Sequence, residues 1–285
     1  VRPPFLRCSV LKPYPPYFPP PRPPLLDLPL LDLPSPLPVD SGLLIGNNVR
    51  MITIRKSDAR GTGDRGWLKS HFTFSFADYK DPDFNGFRAL KVMNEDRIAP
   101  GEGFGPHAHR DMEIITFVMS GRLRHRDSLS GAHVLGPGEI QTMSAGTGVV
   151  HAEFNASSDE PVHLMQIWIE PSAEDLPPNY QQVAIPSRPG RERLQLLAAP
   201  AGAGGPPLTT INQNARVVVA ALGAGDTVTH PLGPDRHAWV QVVRGQASLN
   251  GERLATGDGA AISRETQVSL TGTEGSSEVL LFDLP

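Results

Sequence analysis

The sequence has a single cysteine, Cys8, among its 285 residues. An intramolecular disulfide needs two cysteines and a thiolate-rich zinc site needs several, so both are excluded. Cysteine scarcity is also typical of proteins kept in a reducing compartment. Any metal site in this chain must therefore be built from histidine and carboxylate side chains.

Basic charge and long apolar runs are also scarce. The 26 Lys and Arg residues are outnumbered by 30 Asp and Glu residues, which gives a net charge of −4. This balance supplies no attraction to a phosphate backbone, so we expect no direct nucleic-acid partner. No apolar run approaches the roughly 20 residues that span a bilayer, and no signal-peptide pattern is present. The composition predicts a cytoplasmic protein without a membrane partner.

The first fifty residues differ in composition from the rest of the chain. Pro3–Pro38 holds 14 of the 30 prolines, a density that neither a helix nor a sheet ladder tolerates. One interpretation of residues 1–50 is a polyproline ligand for an SH3-like or WW-like partner, and another is a disordered tail without function. A third is a non-native extension that precedes a natural start at Met51, which the abrupt change in composition there favours.

From Met51 onward, short alternating apolar runs are separated by Gly, Pro, Asn and Asp, a pattern typical of all-β proteins. The first set of strands is predicted at Phe72–Phe76, Ala89–Met93, Glu113–Met119, Gly138–Met143, Val149–Phe154 and Val162–Glu170. The second set is predicted at Ala238–Val243, Gln246–Leu249, Ala260–Ser263, Gln267–Leu270 and Glu278–Phe282. The length exceeds what one core usually organises, so we expect two β-barrels, 51–185 and 186–285.

The two sets of strands resemble one another in sequence. Phe117–Gly121 followed by Gly138–Ile140 is similar to Val240–Gly245 followed by Gly257–Gly259. The second copy has a tighter hairpin, predicted at Asn250-Gly251. A Gly/Pro/Ala-rich stretch, Ala198–Pro207, is predicted to be a linker or a long surface loop. We expect a duplicated barrel, although common strand and turn patterns also produce such similarity by convergence.

Two pairs of potential metal ligands lie in the first set. His107 and His109 are two residues apart, as are His151 and Glu153, and residues at that spacing on a strand share one face. If the two strands face each other across a barrel, three nitrogens and one carboxylate oxygen converge on one ion. This donor set suits Fe(II), and also Cu(II), Mn(II), Ni(II), Co(II) or Zn(II).

Spacing alone leaves the carboxylate undecided, because Glu113 lies an even number of residues after His109 and is a rival to Glu153. The second set of strands has no His-x-His pair, so no metal is predicted there. The remaining histidines show no comparable pairing and are interpreted as surface residues or as residues behind the ligands. They are His71, His125, His133, His163, His230 and His237.

Longer motifs make the pattern more specific. The spacing Gly101-x5-His107-x-His109 and the later Gly146-x4-His151-x3-Asn155 resemble the two motifs of cupins. The chain is most similar to pirins, and among them to the bacterial quercetinase-like pirins. The motifs that carry this resemblance are Arg65–Leu68, His71–Phe76, His107–Glu113, Met143–Gly148, His151–Glu153 and Val279–Pro285.

The resemblance implies a bicupin, with two tandem jelly-roll-like barrels of which the N-terminal one holds the metal. It also implies that Glu153, rather than Glu113, is the fourth ligand beside His107, His109 and His151. The implied ion is Fe(II), and the implied reaction is the oxygen-dependent ring opening of a flavonol such as quercetin, with release of CO. In that reaction Glu153 has a catalytic role, since it takes the proton of the flavonol 3-hydroxyl.

A flavonol needs an apolar slot beside the ligands. Its candidate residues, of which we expect only one or two to line the slot, are Phe74, Phe76, Phe117, Met143, Met165 and Trp168. The alternative function is a non-catalytic, redox-sensing metal protein that regulates transcription or metabolic partners. A storage bicupin is disfavoured because storage needs no ligand set, and cupin isomerases or decarboxylases are a further option. A bicupin buries its strand edges within the chain, so we expect a monomer.

Overall fold

A computed structural model describes residues 51–186 and 194–285. The proline-rich segment, for which a polyproline ligand, a disordered tail or a non-native extension is predicted, lies outside these ranges. The boundary predicted between 185 and 186 lies at the edge of the first range, and the bounds of the two barrels stay a prediction. No helix in the described residues is long and apolar enough to cross a membrane.

The described chain is built of strands, which confirms the all-β prediction, with one short 3₁₀ helix at Ser57–Ala59. The strands of the first half are β1 (Met51–Arg55), β2 (Gly61–Asp64), β3 (Leu68–Phe72), β4 (Leu90–Ile98), β5 (Gly103–His109), β6 (Glu113–Ser120), β7 (Leu123–Asp127), β8 (Gly131–Leu135), β9 (Glu139–Ser144), β10 (Val149–Asn155), β11 (Val162–Ile169) and β12 (Asn179–Ala184). The strands of the second half are β13 (Leu194–Ala199), β14 (Thr209–Thr210), β15 (Arg216–Gly223), β16 (Thr227–Pro231), β17 (His237–Leu249), β18 (Glu252–Ala255), β19 (Gly259–Ser263) and β20 (Gln267–Leu284).

Two sheets face each other in the N-terminal half. One has the order β12-β9-β6-β11-β4-β3-β2, and the other has the order β5-β10-β7-β8. Leu123 and Leu135 from the smaller sheet pack between the sheets against Leu68, Ile98 and Leu164 from the larger one. Alternate residues of each strand point into this space, as the pleat requires. The interior is therefore closed at one end by apolar side chains.

The C-terminal half is one nine-stranded sheet in which β1 is the edge strand next to β19. The beginning of the described chain thus completes the second unit rather than the first. The outer face of the seven-stranded sheet packs on this sheet through Phe74, Met93 and Ile115 on one side and Trp239 and Phe282 on the other. All five side chains are almost completely buried, so a large apolar core joins the two halves.

Several strand predictions need correction. Phe72–Phe76 is not a strand, because β3 ends at Phe72. The Ser75 amide then donates to the Phe84 carbonyl at 2.8 Å, which takes the chain away from β4. The apolar spacing there reflects the burial of Phe74 in the core. The two strands predicted within 238–249 form the single strand β17, as do those within 267–282 in β20, because bulges carry the pairing past their interruptions.

The predicted hairpin at Asn250-Gly251 is confirmed. Asn250 has a φ of 47° and Gly251 a φ of 99°, and Leu249 pairs with Glu252 across a two-residue loop. Positive φ at both loop residues is the signature of a type I′ turn, which the Asn-Gly dipeptide favours.

Candidate metal centre

The predicted ligands lie on β5 and β10, which are neighbouring antiparallel strands of the four-stranded sheet. His107 is directly opposite His151, and His109 is opposite Val149. The two strands are therefore side by side and do not face each other across the barrel, which was the condition considered for convergence of the ligands. Opposite residues of paired strands have Cβ atoms about 5 Å apart, so side-by-side pairing brings the rings together more closely than facing strands would.

A bulge in β5 adjusts the register beside the histidines. His151 pairs with His107, but Glu153 pairs with Phe104, so two steps along β10 match three along β5. Pro106 lies in the interrupted stretch, where its missing N–H costs no ladder hydrogen bond. The bulge shifts the pairing of β5 with β10 by one residue. His107 and His109 on β5 and His151 on β10 nevertheless lie on the same face of the sheet.

Three histidines form one group of potential ligands. The ligand atoms of His107, His109 and His151 all lie within 4.8 Å of one another. The ring centroids are 4.4 Å apart for His107 and His151, 4.9 Å for His107 and His109, and 4.8 Å for His109 and His151. Side-chain parity on β5 and cross-strand pairing to β10 are sufficient to produce this cluster.

The available nitrogens fit a metal ion. The Nδ1 atom of His107 lies 2.8 Å from the Gly105 carbonyl oxygen and donates to it, which leaves Nε2 as a free lone pair. That Nε2 is 2.9 Å from the Nε2 of His151. Two nitrogens about 2.1 Å from one ion are about 3.0 Å apart at a right angle and about 3.4 Å apart at the tetrahedral angle. The spacing of 2.9 Å would allow both nitrogens to bind one ion.

Burial keeps two of the histidine rings, His109 and His151, neutral. Burial, together with the neighbouring His151 and His107, lowers the pKa of His109 to about 3. Burial also lowers the pKa of His151 to about 4, with the opposing charge of Glu153 outweighed. A neutral imidazole is the form that binds a metal ion, so His109 and His151 are in the protonation state that ligation requires.

Glu153 lies deeper in the barrel than the three rings. Its carboxylate accepts hydrogen bonds at 2.8 Å on both oxygens from the Gln166 amide nitrogen. Burial opposes ionisation of Glu153, but the adjacent imidazoles of His125, His151 and His107 outweigh it and lower the pKa to about 2. Glu153 joins a second group of potential ligands with His125 and His151, rather than the group of three histidines.

His125 is the residue that sequence reasoning missed, since it was interpreted without a specific role. It is 0% exposed and pairs with Glu153 across β7 and β10. Its Nε2 donates to Asp127 at 2.8 Å, and its Nδ1 accepts from the Gln141 amide at 3.1 Å. The signal was the spacing of His125 and Asp127, two apart on an alternating strand. Both nitrogens of His125 have hydrogen-bond partners, so the second group has no free nitrogen from His125 for a metal ion. In the group of three histidines, by contrast, Nε2 of His107 is free to bind one.

A buried carboxyl group lies near Glu153 and was also missed. Asp96 is 4% exposed and accepts a hydrogen bond from the Ser70 hydroxyl at 2.5 Å. Burial raises the pKa of Asp96 to about 7 against the effect of this bond, and the charges of Glu153 and Glu95 add to the increase. A polar interior therefore extends beneath the candidate metal centre.

Glu113, the rival carboxylate, belongs to neither group of potential ligands in the described chain. Its carboxylate accepts hydrogen bonds from Ser144 at 2.6 Å and from Asn212 at 3.1 Å. Burial raises its pKa despite these bonds. Because Asn212 belongs to the second half of the chain, Glu113 helps to hold the two halves together.

Aromatic side chains border the histidines on two sides. Trp168 meets His109 edge to face at 4.9 Å between ring centroids, and Phe76 meets Trp168 at 5.6 Å. Of the predicted slot residues, these two lie at the site. Phe74, Phe117 and Met165 belong to the core between the halves, and Met143 packs beneath Trp168.

A second aromatic border was not predicted. The ring centroids of Phe104 and His107 are 6.3 Å apart, and those of Trp67 and Phe104 are 5.3 Å apart. Both Phe104 and Trp67 are only partly buried. Flat apolar faces on either side of the histidines are suited to binding a planar aromatic molecule.

The remaining histidines take structural or surface positions. His163 contacts Glu95 at 2.8 Å, and His230 contacts Asp283 at 2.9 Å. His133 stacks on Tyr180 with ring centroids 4.7 Å apart, on the outer side of His125. His237 lies 2.8 Å from the Ser263 hydroxyl. None of these four joins a group of potential ligands in the part of the chain that the structure describes.

Comparison with known proteins identifies the family. The Pirin family model matches residues 53–169, and a quercetinase C-terminal cupin domain model matches residues 196–284. A quercetin 2,3-dioxygenase of Escherichia coli K12 is 43% identical over 82% of this chain and 99% of its own length. The chain belongs to the pirin family. A pirin-like protein of Caulobacter vibrioides is 39% identical over 81% of this chain.

Solved structures of similar proteins share the fold. The crystal structure of the bacterial pirin YhhW from Escherichia coli in complex with nickel(II) is 43% identical, with a TM-score of 0.77 over 82% of this chain and 99% of that chain. GK1651 from Geobacillus kaustophilus is 25% identical, with a TM-score of 0.70 over 83% of this chain. Membership in the pirin family confirms the bicupin prediction, and the nickel complex of the Escherichia coli relative supports the binding of a divalent metal ion.

Proposed function

We propose that this pirin is a metal-dependent dioxygenase that opens the ring of a flavonol such as quercetin with release of CO. The observation that carries the proposal is the open cluster of His107, His109 and His151 between two aromatic borders. The relatives named quercetin 2,3-dioxygenase, 43% identical over nearly their whole length, support the same reaction.

The proposed ligand set is His107, His109, His151 and Glu153. The three imidazoles are adjacent, and Glu153 lies next to His151 in the second group. Three nitrogens and one carboxylate oxygen are suited to Fe(II), which we propose as the ion. When bound, the ion supplies Lewis acidity and the chemistry of dioxygen. The four side chains would hold the ion beside the aromatic borders.

Trp168 and Phe104 are proposed to hold the flat rings of the flavonol. Trp168 contacts His109, and Phe104 lies against His107, so a planar molecule between them has its polar edge beside the histidines. Water is excluded from the covered faces of the rings, which strengthens polar contacts at the edge. The substrate is thus oriented by apolar contacts and selected by the presence of a hydroxyl at its edge.

Glu153 is proposed to accept the proton of the flavonol 3-hydroxyl at a carboxylate oxygen. Its pKa of about 2 keeps it ionised at neutral pH, so its oxygens carry the lone pairs that a ligand or a base needs, but so low a pKa makes it a weak base. A carboxylate that donates its lone pair to a cation is a poor base, so the ligand and base roles compete. We propose that Glu153 alternates between the two roles.

A monomer in the cytoplasm remains the expected state of the protein.

The experiment that tests the function measures oxygen and carbon monoxide together. The full-length chain is purified without added metal, its metal content is determined by elemental analysis, and it is then loaded with Fe(II). Incubation with quercetin in air should consume one O2 for each CO released. A metal-loaded protein that takes up no oxygen with quercetin would contradict the proposal and leave the redox-sensing regulator as the better hypothesis.

A further inference from the structure

The carboxylate of Glu153 is held from across the barrel. Glu153 is on β10 of the four-stranded sheet, whereas Gln166 is on β11 of the seven-stranded sheet. The Gln166 amide nitrogen lies 2.8 Å from both carboxylate oxygens. Both side chains are buried, with Glu153 4% and Gln166 8% exposed. This contact is therefore a fixed link between the two sheets and not a surface contact.

Thr116 determines which end of the Gln166 amide faces Glu153. Thr116 pairs with Gln166 across β6 and β11, and its hydroxyl donates to the amide oxygen of Gln166 at 3.2 Å. An amide whose oxygen is engaged by a donor presents its NH2 group in the other direction. Thr116 is 0% exposed, so no solvent competes for this bond. The hydrogen bonds therefore run in one direction: Thr116 donates to Gln166, and Gln166 donates to Glu153.

His125 does not replace Gln166 in this role. The Nδ1 atom of His125 is 4.0 Å from the nearest Glu153 oxygen, beyond hydrogen-bonding distance. Its two nitrogens are engaged with Asp127 and Gln141. Within residues 51–186 and 194–285, the side-chain hydrogen bonds to the Glu153 carboxylate come from Gln166.

The geometry points to Gln166, oriented by Thr116, as the positioning residue of Glu153. Its amide holds the carboxylate on the inner side of the barrel, in the second group of ligands and away from the three-histidine group. The strength of the hydrogen bonds from Gln166 determines how readily the Glu153 carboxylate rotates towards the ion and away from it. This inference rests on the proposed function, because it explains how one carboxylate serves as ligand and as base.

Removal of the amide should change the metal environment and the turnover without emptying the site. In Gln166→Leu the carboxylate loses its inner donor while His107, His109 and His151 are unchanged. We expect Co(II) to bind with the same stoichiometry but with a shifted visible absorption spectrum, because the spectrum reports the oxygen ligand. For the Fe(II) protein, kcat with quercetin should fall about tenfold or more, as is typical for residues behind metal ligands, whereas KM should change little.

Milder variants keep the test valid if Gln166→Leu folds poorly. Thr116→Val frees the amide to turn its oxygen toward the carboxylate, so it should shift the Co(II) spectrum in the same direction. Thr116→Ser keeps the hydroxyl and should have the spectrum of the unmodified protein. Gln241→Leu is the matched control, since Gln241 is a buried glutamine of the other barrel that donates to Gly257. Its Co(II) spectrum and kcat should equal those of the unmodified protein.

Two outcomes would overturn the inference. One is a Gln166→Leu protein with an unchanged Co(II) spectrum and a kcat within twofold of the unmodified value. The other is a folded variant that has lost metal altogether, which would make Gln166 a requirement for site assembly. If the unmodified protein does not turn over quercetin, the proposed function fails, but the Co(II) spectra still decide whether Gln166 positions Glu153.

Discussion

The Nε2 atoms of His107 and His151 lie 2.9 Å apart, although 44 residues separate the two histidines in the chain. Their strands are neighbours in one sheet, and the two residues are directly paired in its register. The free nitrogens face each other because the Gly105 carbonyl accepts the hydrogen bond from the remaining nitrogen of His107. Any change that moves β5 relative to β10 is therefore expected to affect metal binding.

Glu153→Gln and His107→Ala should separate turnover from metal binding. Glutamine keeps an oxygen that is able to bind a cation but removes the basic carboxylate, so we expect kcat to fall at least tenfold with most of the metal retained. His107→Ala should lose metal and activity together, since it removes a ligand. His133→Ala, on the outer side of Tyr180, is the control for histidine loss. Equal loss of metal in the first two variants would contradict a dual role for Glu153.

Trp168→Ala should weaken substrate binding with little effect on the metal. The indole contacts His109 and packs against Phe76, and its loss removes one apolar border of the proposed slot. We expect KM for quercetin to rise about tenfold, which corresponds to about 1.4 kcal/mol, with metal content unchanged. Trp168→Phe keeps an aromatic face and should retain most of the affinity. An unchanged KM in Trp168→Ala would place the flavonol elsewhere.

Two glycines of β5 provide a matched steric test. A Cβ atom on Gly103 would lie 2.2 Å from the Glu153 carbonyl oxygen and 2.5 Å from the Phe154 Cα, whereas one on Gly105 would meet nothing within 4 Å. Gly103→Ala should therefore push β5 from β10, lower the midpoint of thermal unfolding by about 5 °C and weaken Ni(II) binding. Gly105→Ala should leave both within error. Similar effects of the two substitutions would show that backbone entropy, not strand separation, is responsible.

Asp96 should make the metal-free protein less stable as the pH rises. The pKa of Asp96 is about 7, above its ordinary value of 3.8. Between about pH 4 and pH 7, the folded protein therefore keeps a proton on Asp96 that the unfolded chain has released. The stabilisation is complete below about pH 4, decreases as the pH rises, and is absent above about pH 7. The asparagine of Asp96→Asn is neutral throughout and still accepts from Ser70.

The variant should therefore gain stability relative to the unmodified protein as the pH rises from 4 to 7, by roughly 2–4 kcal/mol. Urea unfolding at a series of pH values measures this difference. His109 and His151, whose pKa values are lowered, change stability in the opposite direction, but they are present in both proteins and their effect cancels in the difference. Glu252→Gln, at an exposed carboxyl on β18, should show no such trend. A difference that does not depend on pH would contradict the burial of an Asp96 carboxylic acid.

The sequence by itself determined the fold class and predicted the three histidines that the structure brings together. Alternating apolar residues and turn-forming dipeptides are local properties, and they fixed the β structure and the Asn250-Gly251 hairpin. The pairing of His107 with His109 on one face follows from the period of two in a strand, which no distant contact changes. The resemblance to pirins supplied Glu153 as the carboxylate, where spacing had left Glu113 open.

Only the tertiary structure decided how these residues meet. It made β5 and β10 neighbours in one sheet, with a bulge at Pro106, because strand order and register depend on contacts across the whole barrel. It brought Gln166 from the opposite sheet to the Glu153 carboxylate, and it buried His125 and Asp96 beside the site. Gln166 and Asp96 have no ligand spacing in the sequence, and the spacing of His125 and Asp127 indicates no role until the fold is known. Their importance arises from burial in a low-dielectric interior, which exists only when the two sheets are packed together.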